Sequence, residues 1–408
     1  MSAAENNNHQ GSWGSILLIY GIGVLGATTI SQAITVAHDM AAFFHAAPQQ
    51  AGWIISTPSA LVVIGAVVTG WLVDRIGDKP ILLLGCAVVI AGDVGVSLAG
   101  TFPALLAMRV VEGIGYVGIA VAAVTMLMRI TQGARRNVAL SLWSSFIPMS
   151  FAVPLLLTAR LAGTGEWRWA FIGQAIGLGA LALLAAATLP ARGPAAGPQR
   201  TAGLGAVLRS PGAYLLGLSF AAHAFVQTGL VSTLPHTLAA LYGVTFAKAS
   251  AAIPIGMIVN CIGCWMVGPL MNRGVRALTI ATVGAAGVVA AGIAVGSTLS
   301  DFGTAIAIAC AFFLASGLIA GLWALLPHVA PARALGAASG LVTQVTLLGV
   351  LFGPPAAFAA KASGDWTRTV LNIALAGTAM WVLLWLVIRK FSSAGARDGV
   401  EPRISVAH

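Results

Sequence analysis

Residues 70–80 read Gly70-Trp-Leu-Val-Asp74-Arg75-Ile-Gly77-Asp78-Lys79-Pro80 and gather four charged side chains in a short segment. Long apolar runs lie on both sides of this segment, at 50–72 and 80–100. The only charged residue within the two runs is Asp93. Each run has about the 20 residues that a helix needs to cross the hydrocarbon core of a bilayer. The stretch therefore predicts two membrane-spanning helices joined by a charged turn at one membrane surface.

The composition extends this interpretation to the whole chain. Of the 408 residues, 58% are hydrophobic and only 8% are charged, whereas soluble domains carry about 25% charged residues. So few charges exclude a soluble enzyme, a nucleic-acid-binding domain and a disordered scaffold. The net charge of +10 is scattered between apolar runs, so we expect no nucleic-acid partner. The first dozen residues contain no Lys or Arg, so no cleaved signal peptide is expected.

The apolar runs predict an all-α integral membrane protein with twelve spans. They lie near 14–36, 50–72, 80–100, 103–128, 138–160, 168–190, 210–234, 247–271, 277–298, 302–326, 334–358 and 367–389. Orientation follows from Lys and Arg, which concentrate in cytoplasmic loops. With both termini inside, fifteen of the 21 basic residues are cytoplasmic and five are outside. We therefore predict a multi-pass inner-membrane protein with both ends in the cytoplasm.

The spans divide into two halves of six. The segment 191–209 combines Pro, Gly and Arg without an apolar run and predicts a cytoplasmic linker. It separates an N-terminal half, 1–190, from a C-terminal half, 210–390, which a cytoplasmic tail, 391–408, follows. The halves also match at a fixed offset of 198 residues, which aligns His38 with His236 and Arg75 with Arg273. Two repeated six-helix halves are typical of secondary transporters.

The charged turn resembles the signature loop of the major facilitator superfamily, in which Gly precedes Asp-Arg or Asp-Lys and a second Gly precedes further basic residues. The resemblance implies a twelve-helix fold that works by rocking alternating access. It also implies a gating loop, in which Asp74 and Arg75 bridge helix ends through a contact that breaks as the halves rock. A second copy at 268–276 has Asn272 in place of the acid. The gating residues so implied are Gly70, Asp74, Arg75, Gly77, Lys79, Asn272 and Arg273. A static helix-end salt bridge is the alternative.

The fourth span carries Arg109-Val-Val-Glu112-Gly113-Ile-Gly115, which is similar to a second motif of that family. Ionisable residues at membrane depth are costly and indicate function by default. Arg109 and Glu112, three residues apart, share one helix face. At 1.5 Å per residue, Asp93 and Arg109 both lie roughly 20 Å above the cytoplasmic side. One Arg facing two carboxylates suits proton coupling, with Asp93 expected to pair with Arg109 and Glu112 expected to carry the proton. A static ion cluster is equally open.

The fifth span departs from the pattern of proton-driven drug exporters. It carries Trp143 and two prolines, Pro148 and Pro154, which should kink the helix. It lacks the Gly-Pro pair of those exporters. In this respect it resembles the branch around cyanate-permease-like carriers and assorted metabolite or siderophore exporters. Two other motifs have ordinary explanations. Gly113-Ile-Gly115-Tyr-Val-Gly118 and Cys261-Ile-Gly-Cys264 lie inside spans, so we expect them to pack helices rather than bind a dinucleotide or a metal.

The expected function is secondary transport of a small organic solute, without enzymatic activity, cofactor or metal. Proton-coupled efflux of a drug, siderophore or metabolite is preferred, and proton-coupled import of a small organic anion is the alternative. A non-transporting sensor on the same fold is a third possibility, disfavoured by the retained charged motifs. We expect a monomer whose partners are its solute, protons and the lipid bilayer. Candidate substrate-binding residues are Thr28, Thr29, Gln32, His223, Gln227, Trp323, Thr343 and Gln344.

Overall fold

The computed structural model describes residues 11–46, 48–158, 161, 164–191, 204–295, 297, 301–331, 334–362 and 366–395. These residues form helices and turns and contain no strand. Most of the predicted linker and of the predicted tail, 192–203 and 396–408, lies outside the described residues.

Sixteen α-helices follow one another along the described chain. They are α1 Trp13–Phe43, α2 Pro48–Ile76, α3 Asp78–Leu98, α4 Phe102–Ile130, α5 Gly133–Trp143, α6 Phe146–Thr158, α7 Arg168–Thr188, α8 Leu204–Leu208, α9 Pro211–Tyr242, α10 Phe246–Ser250, α11 Ala252–Asn272, α12 Ala277–Ala294, α13 Phe302–Gly321, α14 Leu326–Val329, α15 Leu335–Ala362 and α16 Trp366–Gly395. A short 3₁₀ helix, Leu322–Leu325, joins α13 to α14.

Eleven helical segments of the described chain are long and apolar enough to cross a membrane. The predicted fifth span is the exception, because two shorter helices, α5 and α6, occupy it. The apolar helix α6 has only 13 residues, and α5 carries Arg135 and Arg136. The predicted all-α membrane architecture is therefore confirmed, with the fifth span broken in two.

The break between α5 and α6 has a local cause. Pro148 has no backbone N–H and its ring obstructs the carbonyl four residues earlier, which is that of Ser144. The neighbouring serines instead bond to their own helix, since Ser144 Oγ donates to the Ser141 carbonyl at 2.7 Å and Ser145 Oγ to the Leu142 carbonyl at 2.7 Å. The predicted proline kink is therefore a full interruption, three residues before Pro148.

Residue contacts divide the chain into two compact units. Unit 1 contains Met1–Ala139, Phe146–Leu208 and Pro331–Gln344, and unit 2 contains Leu140–Ser145, Arg209–Ala330 and Val345–His408. The first ten residues of α15 thus pack with unit 1 although the rest of that helix belongs to unit 2.

In unit 1, glycines bring α3 and α4 into backbone contact. A Cβ on Gly115 would lie 2.6 Å from the Val89 nitrogen, and one on Gly85 would lie 2.8 Å from the Gly115 carbonyl oxygen. Such close approach of small residues is a common way to pack helices in lipid. The Gly113–Gly118 motif therefore packs helices, as expected.

Unit 2 uses the same device between α11 and α13. A Cβ on Gly263 would lie 3.0 Å from the Gly317 Cα atom. Cys261 and Cys264, on either side of Gly263, are buried. Cys261 Sγ contacts the Ser145 carbonyl at 3.8 Å, and Trp265 Nε1 donates to Ser145 Oγ at 2.8 Å. The Cys-x-x-Cys motif also has the packing role that its position in an apolar run predicts.

Candidate functional site

Arg109 lies at the centre of a buried charged cluster in unit 1. Its side chain is completely buried, and its guanidinium uses three nitrogens. Nε donates to the Ile54 carbonyl of α2 at 2.8 Å, Nη2 donates to the Thr29 carbonyl of α1 at 2.7 Å, and Nη1 forms an ion pair with Glu112 Oε2. One side chain of α4 thus holds two neighbouring helices.

Two carboxyl groups share this cluster. Asp93 and Glu112 are both fully buried and face each other closely enough to interact directly. Neither oxygen of Asp93, nor Glu112 Oε1, has a hydrogen-bond donor among the described residues. The expected pairing of Asp93 with Arg109 is therefore wrong in this structure, because Glu112 occupies that place.

Helix packing explains the juxtaposition. Asp93 follows Gly92, and a Cβ on Gly92 would lie 2.9 Å from the backbone nitrogen of Glu112. This close approach of α3 to α4 puts the next side chain, that of Asp93, against the Glu112 carboxyl. Arg109 and Glu112 pair within α4, three residues apart on one helix face, whereas the glycine contact determines that Asp93 lies against Glu112.

The charges of the cluster do not balance without a proton. Arg109 contributes one positive charge, and two ionised carboxylates contribute two negative charges. The negative charge that Arg109 does not neutralise lies away from water, and burying it costs several kcal/mol. The cluster is electroneutral only when the two carboxyl groups bind one proton between them.

Beside the cluster, polar side chains of α1 bond to α7. Gln174 Nε2 donates to Thr29 Oγ1 and to the Leu25 carbonyl, both at 2.8 Å, and Gln32 Nε2 donates to Gln174 Oε1. Thr28 Oγ1 donates to the Leu25 carbonyl at 2.6 Å. Of the predicted binding residues, the structure therefore brings Thr29 and Gln32 together through Gln174, a residue not predicted from sequence.

The predicted binding residues of unit 2 lie on two helices. His223 Nε2 and Ser316 Oγ are 2.6 Å apart, and Gln227 follows one turn later on α9 and is half-buried. Trp323 stacks on Phe220 with ring centroids 5.5 Å apart.

The remaining two predicted binding residues, Thr343 and Gln344, belong to the part of α15 in unit 1. Gln344 Oε1 accepts a hydrogen bond from the Val67 backbone N–H at 3.2 Å.

The charged loop contacts the first turn of α15. The Asp74 carboxylate accepts hydrogen bonds from the backbone N–H groups of Gly336 and Ala337, each at 2.9 Å. A helix N-terminus leaves such groups unpaired and carries partial positive charge. Glycine is required at the contact, because a Cβ on Gly70 would lie 2.6 Å from the Gly336 carbonyl carbon. The capping role expected for Asp74 is present, with backbone groups as its partners.

The other residues of the charged loop make contacts that differ from the expected bridge by Asp74 and Arg75. Arg75 is exposed and lies 4.2 Å above the Trp71 ring. Gly77 has φ 109°, a conformation that favours glycine. Lys79 Nζ donates to the Ala186 and Leu189 carbonyls at 2.8 and 2.7 Å, at the end of α7.

The ion pair of this region joins Asp78 to Arg129. The two form a bidentate contact with distances of 2.6 and 2.9 Å, and Asp78 is only 3% exposed. It closes the hairpin of α3 and α4 from the first residue of α3 to the last turn of α4. Arg129 is not among the residues predicted from sequence, although Asp78 stands in the quoted stretch. In the second copy of the loop, Asn272 ends α11, and Arg273 is exposed.

Comparison with known proteins agrees with this architecture. The profile of the Major Facilitator Superfamily matches residues 16–354. The chain belongs to the major facilitator superfamily. Its members are transporters, so the protein is a secondary transporter and not an enzyme.

One relative matches along nearly the whole length. The 3-(3-hydroxy-phenyl)propionate transporter of Escherichia coli K12 is 28% identical over 382 residues, which cover 91% of this chain and 93% of that protein. The multidrug export protein EmrB of Haemophilus influenzae is 27% identical over 157 residues, which cover 38% of this chain and 30% of that protein. Among solved structures, the transporter FucP in its outward conformation, a fucose:proton symporter of E. coli, has a TM-score of 0.75 at 14% identity, covering 91% of this chain and 98% of that chain. This likeness concerns the fold alone.

Proposed function

We propose that the protein imports a small aromatic carboxylate together with a proton. This is the small-organic-anion alternative of the sequence analysis. The substrate class is supported by a relative that matches along 91% of the chain and is named a 3-(3-hydroxy-phenyl)propionate transporter. Import with a proton also has a physical rationale. A monovalent anion that enters with one proton moves no net charge, so an inside-negative membrane potential does not oppose it.

The observation that carries the proposal is the charge imbalance at Arg109. In the proposed cycle, one proton is held between Asp93 and Glu112 while Arg109 pairs with Glu112. When that proton leaves, both carboxylates compete for the guanidinium and draw it toward Asp93. The movement loosens the bonds from Arg109 to the Ile54 and Thr29 carbonyls. Loss of the proton is thereby coupled to the positions of α1 and α2.

The proposed cycle also involves the gating loop. The Asp74 contact to the start of α15 exists in this conformation, and we propose that it breaks in the opposite access state. Gly70, Arg75, Gly77, Lys79, Asn272 and Arg273 complete the two loop copies. Solute contacts are proposed for Gln227, His223 and Trp323, which offer hydrogen-bond donors and an aromatic face, and for the polar residues Thr28, Thr29, Gln32, Thr343 and Gln344.

We place the protein in the inner membrane as a monomer with both termini in the cytoplasm. The distribution of Lys and Arg supports this orientation. The six-helix halves 1–190 and 210–390, with 191–209 as linker, remain the proposed functional division.

Uptake by purified protein in proteoliposomes tests the proposed function. With an acidic exterior, we expect 3-(3-hydroxyphenyl)propionate to accumulate inside, and we expect a protonophore to abolish the accumulation. Empty vesicles control for passive entry of the neutral acid. Uptake that is equal in empty and protein-containing vesicles would contradict the proposal.

Export in exchange for protons is a second candidate. It is supported by the partial match to the multidrug export protein EmrB, and the same buried cluster would serve it. In that case an acidic interior, rather than an acidic exterior, would drive solute into the vesicles.

A further inference from the structure

Unit 2 contains a cavity of about 340 Å³ that the proposed transport cycle does not use. It lies among α9, α15 and α16, beside Val295 at the end of α12. This volume is within the range of about 300–1,000 Å³ that is typical of small-molecule sites. The cavity is therefore large enough to hold part of an organic ligand.

The two ends of the cavity differ in polarity. Phe225, Leu230 and Gly353 line the apolar end. Lys361, the penultimate residue of α15, lines the other end. Asn372, six residues into α16, also lines the cavity. Gly353 and Lys361 are eight residues apart, which corresponds to about 12 Å along the helix. The cavity is thus a slot that runs from the apolar interior to the end of a membrane helix.

Two polar groups that line the slot, those of Lys361 and Asn372, have free hydrogen-bonding capacity. Among the described residues, the Lys361 ammonium has neither a hydrogen bond nor an ion pair, and the half-buried Asn372 amide has no hydrogen bond. Both groups can donate to an anion. Lysine in this position also extends its charged end to the membrane surface while its methylene groups pack against apolar neighbours.

We propose that the slot binds an anionic phospholipid, with one acyl chain between α9, α15 and α16 and its phosphate at Lys361. The hydrocarbon core of a bilayer is about 30 Å thick, so one leaflet is about as deep as the slot is long. The junction of α15 with α16 is where two consecutive spans meet one membrane surface, the level at which phosphates lie. The acyl chain fills the apolar end of the slot, and the phosphate pairs with Lys361 at the other end.

Lipid-dependent stability of the full-length protein tests the assignment. Thermal unfolding is compared in nanodiscs of phosphatidylcholine alone and of phosphatidylcholine with phosphatidylglycerol, and bound lipid is counted by native mass spectrometry. We expect phosphatidylglycerol to raise the unfolding midpoint and to remain bound. Lys361→Gln should weaken phosphatidylglycerol binding roughly fivefold, because one lysine contributes about 1 kcal/mol to anionic-lipid contact. Ala240→Phe, which fills the slot from an exposed lining position, should abolish retention.

Arg368→Gln is the matched control, since Arg368 is an exposed cation of α16 that does not line the slot. It should leave phosphatidylglycerol binding unchanged. Equal loss in both charge variants would overturn the proposal, as would equal retention of phosphatidylcholine by the wild type. Displacement of the bound lipid by 3-(3-hydroxyphenyl)propionate would also overturn it and would assign the slot to a carboxylate solute. Uptake of that solute is measured separately, so failure here leaves the proposed function standing.

Discussion

The buried cluster of α3 and α4 has one positive group and two acids. Arg109 is paired with Glu112 and bonded to the carbonyls of Ile54 and Thr29, while the Asp93 oxygens have no donor among the described residues. Removal of either acid leaves one positive and one negative charge, and such a cluster is electroneutral without a proton. Removal of both acids strands the guanidinium. Single substitutions should therefore leave the protein folded, whereas the double substitution should destabilise it.

We expect Asp93→Asn and Glu112→Gln each to fold, to exchange solute down its own gradient, and to lose accumulation driven by a pH step. The double variant should lose about 3–5 kcal/mol of stability, the usual cost of a buried charge without its partner. Thermal unfolding of the three purified variants, with counterflow and uptake assays, checks both statements. Accumulation by either single variant at the wild-type level would mean that the proton passes elsewhere. The next candidate is Asp39, an acidic residue near the C-terminal end of α1.

At this scale the sequence predicted which residues meet but not how they pair. Helix rise alone places Asp93, Arg109 and Glu112 at one depth. The i, i+3 spacing accounts for the pairing of Arg109 with Glu112. The position of Asp93 against Glu112 depends on the glycine contact at Gly92, an approach of two backbones that no single helix pattern contains. Gln174 was missed for a related reason, because its significance lies in its distance from Thr29 and Gln32.

At the scale of helices, the contact between the charged loop and α15 is the best-defined element of the proposed gate. A carboxylate that accepts from two N–H groups at a helix N-terminus contributes up to about 2 kcal/mol in partly buried positions. Asp74→Asn keeps the size of the side chain but removes the charge and one acceptor. We expect normal membrane insertion and slower transport, measured as initial uptake rate per inserted protein. An unchanged rate at normal expression would exclude a gating role for Asp74.

The Asp78–Arg129 pair makes a different prediction, because it lies within the α3–α4 hairpin and should not break during transport. Arg129→Gln should lower the free energy of unfolding by about 1–3 kcal/mol, since the buried Asp78 carboxylate loses its cation but still accepts from the Lys79 backbone N–H. The uptake rate per folded molecule should stay close to the wild-type value. Arg75→Gln is the control for charge loss in the same region, because Arg75 is exposed and should change stability little. A larger loss of stability in Arg75→Gln than in Arg129→Gln would contradict this assignment.

Helix positions were largely predictable from sequence because each span is a long apolar run between charges. The break between α5 and α6 was predictable only as a kink. Pro148 indicates the disturbance, but the full interruption depends on Ser144 and Ser145 bonding to their own helix and on Trp265 of α11 donating to Ser145 Oγ.

At the scale of the whole molecule, the charge distribution predicts the topology. Fifteen of 21 basic residues are cytoplasmic when both termini are inside. A periplasm-active reporter fused at His408 should therefore give no signal, whereas a fusion after Lys361 should give a strong one. A strong signal at both His408 and Lys361 would mean an odd number of spans between the ends, and a strong signal at His408 alone would mean an inverted topology. The assignment of 140–145 and 331–344 to compact units could not be read from the sequence, since it depends on contacts between distant segments.

The claim that solute and proton move together is tested most directly by protons driven by solute. Proteoliposomes with an internal pH dye and no initial pH gradient receive 3-(3-hydroxyphenyl)propionate outside. We predict that the wild type acidifies the interior faster than empty vesicles do, and that Asp93→Asn, although still able to exchange solute, acidifies it no faster than empty vesicles. Solute entry through the wild-type protein without this additional acidification would contradict coupled transport.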